Sequence, residues 1–326
     1  MSQVSVLIGE CEESESRDLL IENVECKMLP ERIKDFWWIN KLILRNVGLK
    51  CLSNFPCYLV YLEISNNSIQ ELDGSLFPST LKKFAFINND TIDVYGLKDG
   101  LEFLDLSKNK IRKNFEIPNS LIALSLFKNR YLCSIPKYQP ECGLIAIEIS
   151  DTGICDISMI PDSVEIIIAN NCYITSISKL PHNLKNLTAQ HSNIMSIDCP
   201  FPEGLEDLDL FDNMLTQIPP LPKTIRSIDV NNNMFEENRQ NKSPVFQNEY
   251  TQEYDETEYY GHMQSHVNIP RFGQRPRFGR SYNHSPHFQQ IVPIRPAKPN
   301  NPPYVEDNEF SDENPRYIKL KKTYTV

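Results

Sequence analysis

No stretch of this 326-residue chain approaches the roughly eighteen consecutive apolar residues of a membrane-spanning helix, so no membrane span is expected. Residues 1–10 lack a basic region and hold only a short apolar run from Val4 to Ile8, followed by Glu10, Glu12, Glu13 and Glu15; a secretory signal is not expected. The chain also has no phosphate loop, no G-x-S-x-G and no HExxH. Histidine is scarce. Of the six, only His262 and His266 have metal-like spacing, and no cysteine stands near them to complete a site. The expectation is therefore a non-enzyme with no cofactor and no metal. The nine cysteines form no flanking pattern of the secreted kind, which fits a reducing compartment: cytoplasm, nucleus or a host-cell cytosol.

What the chain has instead is a period. Apolar residues recur as L-x-x-L-x-L-x-x-N-x-L in units that begin at Leu59, Leu81, Leu101, Leu121, Leu144, Val164, Leu184, Leu205 and Ile225, with looser copies at Ser16 and Ile39. The starts lie 20 to 23 residues apart, the spacing of leucine-rich repeats. One such unit cannot bury its own apolar face, but about eleven stacked units can. The fold class expected is α/β: a curved right-handed leucine-rich-repeat solenoid, with a parallel sheet on the concave face and extended or polyproline segments on the convex side. The convex prediction rests on Pro56, Pro78, Pro118, Pro161, Pro181, Pro202 and Pro222, each three residues before a unit starts, where a regular helix is disfavoured. The longer first unit leaves room between Glu31 and Trp38 for about two helical turns.

Position nine of each unit should lie inside the turn after the strand. A buried amide there can both donate to and accept from neighbouring turns. From the third unit on it reads Asn67, Asn89, Asn109, Asn129, Thr152, Cys172, Ser192, Asn213 and Asn233, a structural ladder; the first two units carry Val24 and Val47 and lack it.

Positions three, five and seven should alternate outward along each strand and merge into one strip. That strip is basic near its start (Lys41, Arg45), apolar in its middle and acidic at its end. Its candidate partner-binding residues are Tyr61, Glu63, Phe103, Asp105, Phe127, Glu148, Ile166, Ile168, Asp207, Asp209, Phe211 and Asp229. Large apolar groups on a face that should meet water point to a protein interface, or to cover by flanking residues or the chain's own tail. Asp207 and Asp209 sit side by side on an open strip and read as a charged binding face rather than as an acid–base pair.

Units such as Ile218-Pro219-Pro220-Leu221-Pro222-Lys223-Thr224-Ile225-Arg226-Ser227-Ile228-Asp229-Val230-Asn231-Asn232-Asn233 resemble the short, proline-containing repeats of bacterial type III effector proteins. The resemblance covers about residues 16 to 235 and implies binding of host proteins. Some members add a ubiquitin-ligase domain with a C-x-D motif. None of the cysteines here is followed two residues later by Asp, so the ligase activity does not carry over. A helical-hairpin cap of that family is not evident in the first fifteen residues.

The organisation expected is an acidic N-terminal segment (1–15), a solenoid (16–235) and a disordered tail (236–326) rich in Pro, Asn and Tyr. The tail carries 12 basic and 12 acidic residues, so the formal charge of −10 belongs to the rest of the chain. An acidic solenoid repels nucleic acid. The tail segment 271–280, with Arg271, Phe272, Arg275, Arg277, Phe278 and Arg280, is the one stretch that could contact nucleic acid or dock on the acidic end of the strip. Two functions follow: a non-enzymatic, monomeric module binding a protein on its concave face, or a substrate-recognition adaptor for a ubiquitin-type or other modifying enzyme.

Overall fold

The computed structural model describes residues 3–235. The tail readings, including the basic segment 271–280, lie outside the described residues. Eleven short strands form one parallel sheet in strict chain order. They are Asp18–Glu22, Lys41–Arg45, Tyr61–Ser65, Lys83–Ile87, Phe103–Asp105, Ala123–Ser125, Ala146–Glu148, Ile166–Ile168, Asn186–Thr188, Asp207–Asp209 and Ser227–Asp229. Each starts at position three of its unit, and like positions pair: Lys41 with Tyr61, Phe103 with Ala123, Asp209 with Asp229. The chain is thus a leucine-rich-repeat solenoid of eleven coils, the first beginning at residue 16 and the last at 225. Among the described residues no helix is long and apolar enough to cross a membrane.

Core formation follows the period. Positions one, four and six of successive coils stack in a single apolar cluster that runs the length of the molecule, with Phe84 and Phe86 its largest fully buried members. In the last described coil Ile228 is 41% exposed.

Two regularities of the turns were not part of the sequence reading. Position eight of every coil is left-handed: Asn23, Asn46, Asn66, Asn88, Lys108, Lys128, Asp151, Asn171, His191, Asp212 and Asn232 all have φ between 48° and 59°. Asn and Asp tolerate that region through local side-chain hydrogen bonds, which explains their frequency there. The linker prolines do more than disfavour helix. Each carbonyl of Pro78, Pro118, Pro161, Pro181, Pro202 and Pro222 accepts the N–H of the apolar residue three places on, at 3.1 to 3.3 Å, closing a tight turn that launches the next strand. The convex side is otherwise extended, with two small parallel pairs (Glu71–Asp73 with Asp93–Tyr95, Ser176–Ile177 with Ser196–Ile197) and short 3-10 turns at Glu31–Asp35 and Gly74–Leu76.

Position nine lies inside, as its chemistry requires. Asn129 is fully buried; its Nδ2 donates to the carbonyls of Leu106 and Leu126, both at 2.9 Å, and its Oδ1 accepts the Ile111 N–H. Asn67 supplies acceptors to Val47 and Leu49 in the coil before it, so the apolar Val47 coil borrows its polar contact from its neighbour. Thr152, Cys172 and Ser192 replace the amide with shorter donors: Cys172 Sγ and Thr152 Oγ1 both donate to the carbonyl of Ile149, and Ser192 Oγ to that of Ala169.

The first fifteen residues correct the sequence reading. They are not merely an acidic segment: Gln3–Ser14 is an α-helix, α1, whose Val4, Leu7, Ile8 and Cys11 are buried in the main cluster. Those four residues stand at i, i+3, i+4 and i+7, one face of a helix. A single helix, not a hairpin, covers the open end of the stack. Burial pushes the Cys11 thiol up to about 11, with Trp38 pulling it down and Glu12 adding to the rise.

Candidate functional site

The strip formed by positions three, five and seven divides into three regions with different chemistry. At the N-terminal end Glu63 is held on all sides. Arg45 donates to it through Nε (2.5 Å) and Nη2 (2.8 Å), Ser65 Oγ donates at 2.9 Å and Tyr61 OH at 3.3 Å. A bidentate Arg pair with two further donors fills the acceptor capacity of the carboxylate. Glu63, read from sequence as a partner contact, is instead an internal anchor only 7% exposed. Tyr61 is half-buried with Lys41 5.6 Å from its ring centre; burial, then Glu63, raises its pKa.

The middle differs most from expectation. Phe103, Phe127, Ile166 and Ile168 were expected on a water-facing surface, yet they are only 6% to 8% exposed. Phe103, Ala123, Ala146, Ile166 and Ile168 form a second apolar cluster on the far side of the sheet from the main core. The cause is geometric. Parallel strands lie about 4.8 Å apart, and a sheet curved toward this face presses like positions of successive coils together. Small residues at Ala85, Ala123 and Ala146 leave room for the large ones beside them. Lys83 and Lys128 lie over Phe103 and Phe127, 5.3 and 5.0 Å from the ring centres, and add cover. Little apolar area is left for a partner here.

Within this dry region two carboxyl groups are joined by two serines. Ser107 donates to Asp105 Oδ1 through its N–H at 2.9 Å and through a short contact from Oγ. Ser107 Oγ and Ser125 Oγ lie 2.9 Å apart, and Ser125 Oγ lies 2.9 Å from Glu148 Oε2. Glu148 Oε1 is buried and has no hydrogen-bond partner among the described residues. Two hydroxyl protons cannot fill three oxygen-to-oxygen links. Ser125 donates to Glu148 and Ser107 to Asp105, so the contact between the two serine oxygens is left without a proton of its own. Burial pushes the Glu148 carboxyl up to about 8; the hydrogen bond from Ser125 opposes, while Asp105 and Asp151 reinforce. Glu148, 4% exposed, is therefore a buried group whose carboxyl is biased toward its neutral form, and not the open charged contact expected from sequence. Asp105, 2% exposed, is likewise held within the wall.

The C-terminal region remains wet. Asp207, Asp209, Phe211 and Asp229 are all partly exposed. Asn186 Nδ2 donates to Asp207 and Gln190 Nε2 to Asp209, each at 2.5 Å; the Phe211 N–H donates to Asp209, and Asn231 donates to Asp229 through both nitrogens. These are neutral donors. No cationic side chain among the described residues pairs with the three aspartates, although Asp209 and Asp229 are direct neighbours on adjacent strands. Like charges opposite one another in a sheet are unfavourable. His191 stands edge-on to Phe211 at 5.6 Å and bonds Asp212 through Nδ1.

Of the twelve expected contacts, then, four lie together on an accessible surface, Tyr61 is half-covered beside an internal ion pair, and the other seven are buried. Sequence reasoning also missed a ladder of hydroxyls: Thr80, Ser120, Ser163 and Thr224, each just before a coil's first apolar residue, donate to the carbonyl of Leu59, Leu101, Leu144 and Leu205 in the coil before, at 2.6 to 2.8 Å. A hydroxyl at one fixed place in four units was a readable signal. Among the described residues no group of three or more His, Cys, Asp or Glu is placed to hold a metal ion, and the nine cysteines are free thiols.

No protein-family model matches the sequence, and no curated protein does. Similar solved structures include YopM from Yersinia enterocolitica, 21% identical over 71% of this chain and 60% of that one, with a TM-score of 0.44. YopM from Yersinia pestis is 22% identical over 71% and 81%, TM-score 0.46. An internalin from Listeria monocytogenes is 15% identical over 68% and 84%, TM-score 0.34. The chain thus spans 60% of the length of the first of these.

Proposed function

We propose that the protein is a non-enzymatic interaction module that takes a basic segment of a protein partner on the acidic end of its concave face. The observation that supports this reading is the set Asp207, Asp209 and Asp229: three carboxylates on adjacent strands, hydrogen-bonded only by neutral donors, with Phe211 beside them. Arg or Lys side chains from a partner relieve their mutual repulsion and gain charge-assisted hydrogen bonds, while Phe211 offers apolar contact. Extended concave surfaces are the usual binding faces of solenoids. The covered middle of the strip serves as a rigid floor.

The test is a titration of a partner captured by the full chain and then purified. The Asp207→Asn, Asp209→Asn, Asp229→Asn variant should bind it at least about tenfold more weakly, on the order of 1.4 kcal/mol. A control with Glu25→Gln and Glu31→Gln, exposed residues away from the strip, should bind as the wild type does. Equal affinity for the triple variant overturns the reading.

A further inference from the structure

The arrangement of charge in the whole chain points to an occupant for this surface that is already covalently attached. From residue 259 to residue 305 the sequence contains no Asp or Glu, a run of forty-seven residues, and it holds six cations: Arg271, Arg275, Arg277, Arg280, Arg295 and Lys298. The acidic end of the concave strip shows the complementary pattern, three aspartates with no cation paired to them among the described residues.

We propose that residues 271–280 dock in cis on Asp207, Asp209 and Asp229 and compete there with the partner. This rests on the reading of that surface given above.

Three features carry it. The first is spacing. Arg275 and Arg277 are separated by Pro276, whose fixed φ favours an extended backbone and places alternate side chains about 6 to 7 Å apart. Asp207 and Asp209, alternate residues of one strand, have that same spacing. The second is apolar contact, since Phe272 and Phe278 flank Arg275 and Arg277 in sequence as Phe211 accompanies the aspartates. The third is reach. The described chain ends at Phe235, in the same coil as Asp229, and the thirty-five residues from 236 to 270 can span up to about 120 Å. Tethers of such length give effective concentrations near the millimolar range. Against an intrinsic affinity on the order of 0.1 mM for four arginines, that closes the surface in roughly nine molecules of ten. The other regions of the strip do not suit this segment: Lys41, Arg45 and Lys83 repel it, and the middle is covered.

The experiment uses full-length chains and a fluorescent synthetic peptide of residues 269–282 as probe, followed by anisotropy at low salt. The wild type should bind the peptide weakly, because its own segment occupies the site. The variant Arg271→Ser, Arg275→Ser, Arg277→Ser, Arg280→Ser should bind it about tenfold more tightly. Adding Asp207→Asn, Asp209→Asn and Asp229→Asn to that variant should abolish the gain. Equal binding by the wild type and the arginine variant overturns the proposal, as does failure of the arginine variant to bind the peptide, or a gain that survives loss of the aspartates. Partner titration separates this from the parent reading: if the aspartate variant loses the partner while the arginine variant shows no gain in peptide binding, the surface stands and the cis contact falls.

Discussion

Glu148→Gln should make the protein more stable in mild alkali and leave it unchanged in mild acid. In the folded chain burial pushes the carboxyl up to about 8; unfolded, it releases its proton near the ordinary 4.5. Between those values the native state binds a proton that the unfolded state does not, so stability falls as pH rises, and below about 4.5 the contribution is fully present. Each pH unit is worth about 1.4 kcal/mol, which sets a ceiling of about 5 kcal/mol over the window; relaxation and water entry reduce such penalties to roughly 2 to 3 kcal/mol. The groups facing Glu148 do not reverse the sign. Asp105 and Asp151 share its charge and disfavour ionisation; Lys128 and Arg130 act on Asp151, and the in-register neighbour on the next strand is the uncharged Ile168. Gln is isosteric with the protonated acid, and its amide oxygen can accept from Ser125 as the carboxyl does. Thermal melts followed by circular dichroism at pH 5, 7 and 9 should therefore coincide for the two proteins at pH 5 and separate by about 5 to 10 °C at pH 9, the variant being higher. Melting temperatures that fall in parallel across this range would show that burial does not raise the Glu148 carboxyl, and would refute the reasoning.

Asn129→Ala should cost about 2 kcal/mol, since it strands the Ile111 N–H in a dry turn and leaves the Leu106 carbonyl only the Asn109 amide as a side-chain donor; urea unfolding checks it, and a loss below about 1 kcal/mol would deny the ladder its structural role. Thiol titration with an aromatic disulfide at pH 8 should label the exposed Cys51, Cys57, Cys133 and Cys155 quickly, while Cys11 and Cys172, buried with thiols pushed up to about 11, should react only after unfolding; fast labelling of either would contradict the packing.

Much of the fold was legible because it is written in local spacing. Coil boundaries, strand starts and the polar ninth position depend on residues within a single unit, and the physics of stacking treats each unit alike. The cap was legible too, in the spacing of Val4, Leu7, Ile8 and Cys11, but the glutamates around its last member, Glu10, Glu12 and Glu13, mask its apolar face. The strip shows the opposite case. Alternation correctly assigned Phe103, Ile166 and Glu148 to the outer face of the sheet and could say nothing of their exposure, because exposure depends on how tightly that face curves and on what the neighbouring coils carry at the same place. The sequence by itself determined which residues share a face. Only the tertiary structure decided which of them meet water, because each depends on side chains of neighbouring coils: Arg45 closing over Glu63, Ser125 reaching both Glu148 and Ser107, and no cation arriving at Asp207, Asp209 and Asp229.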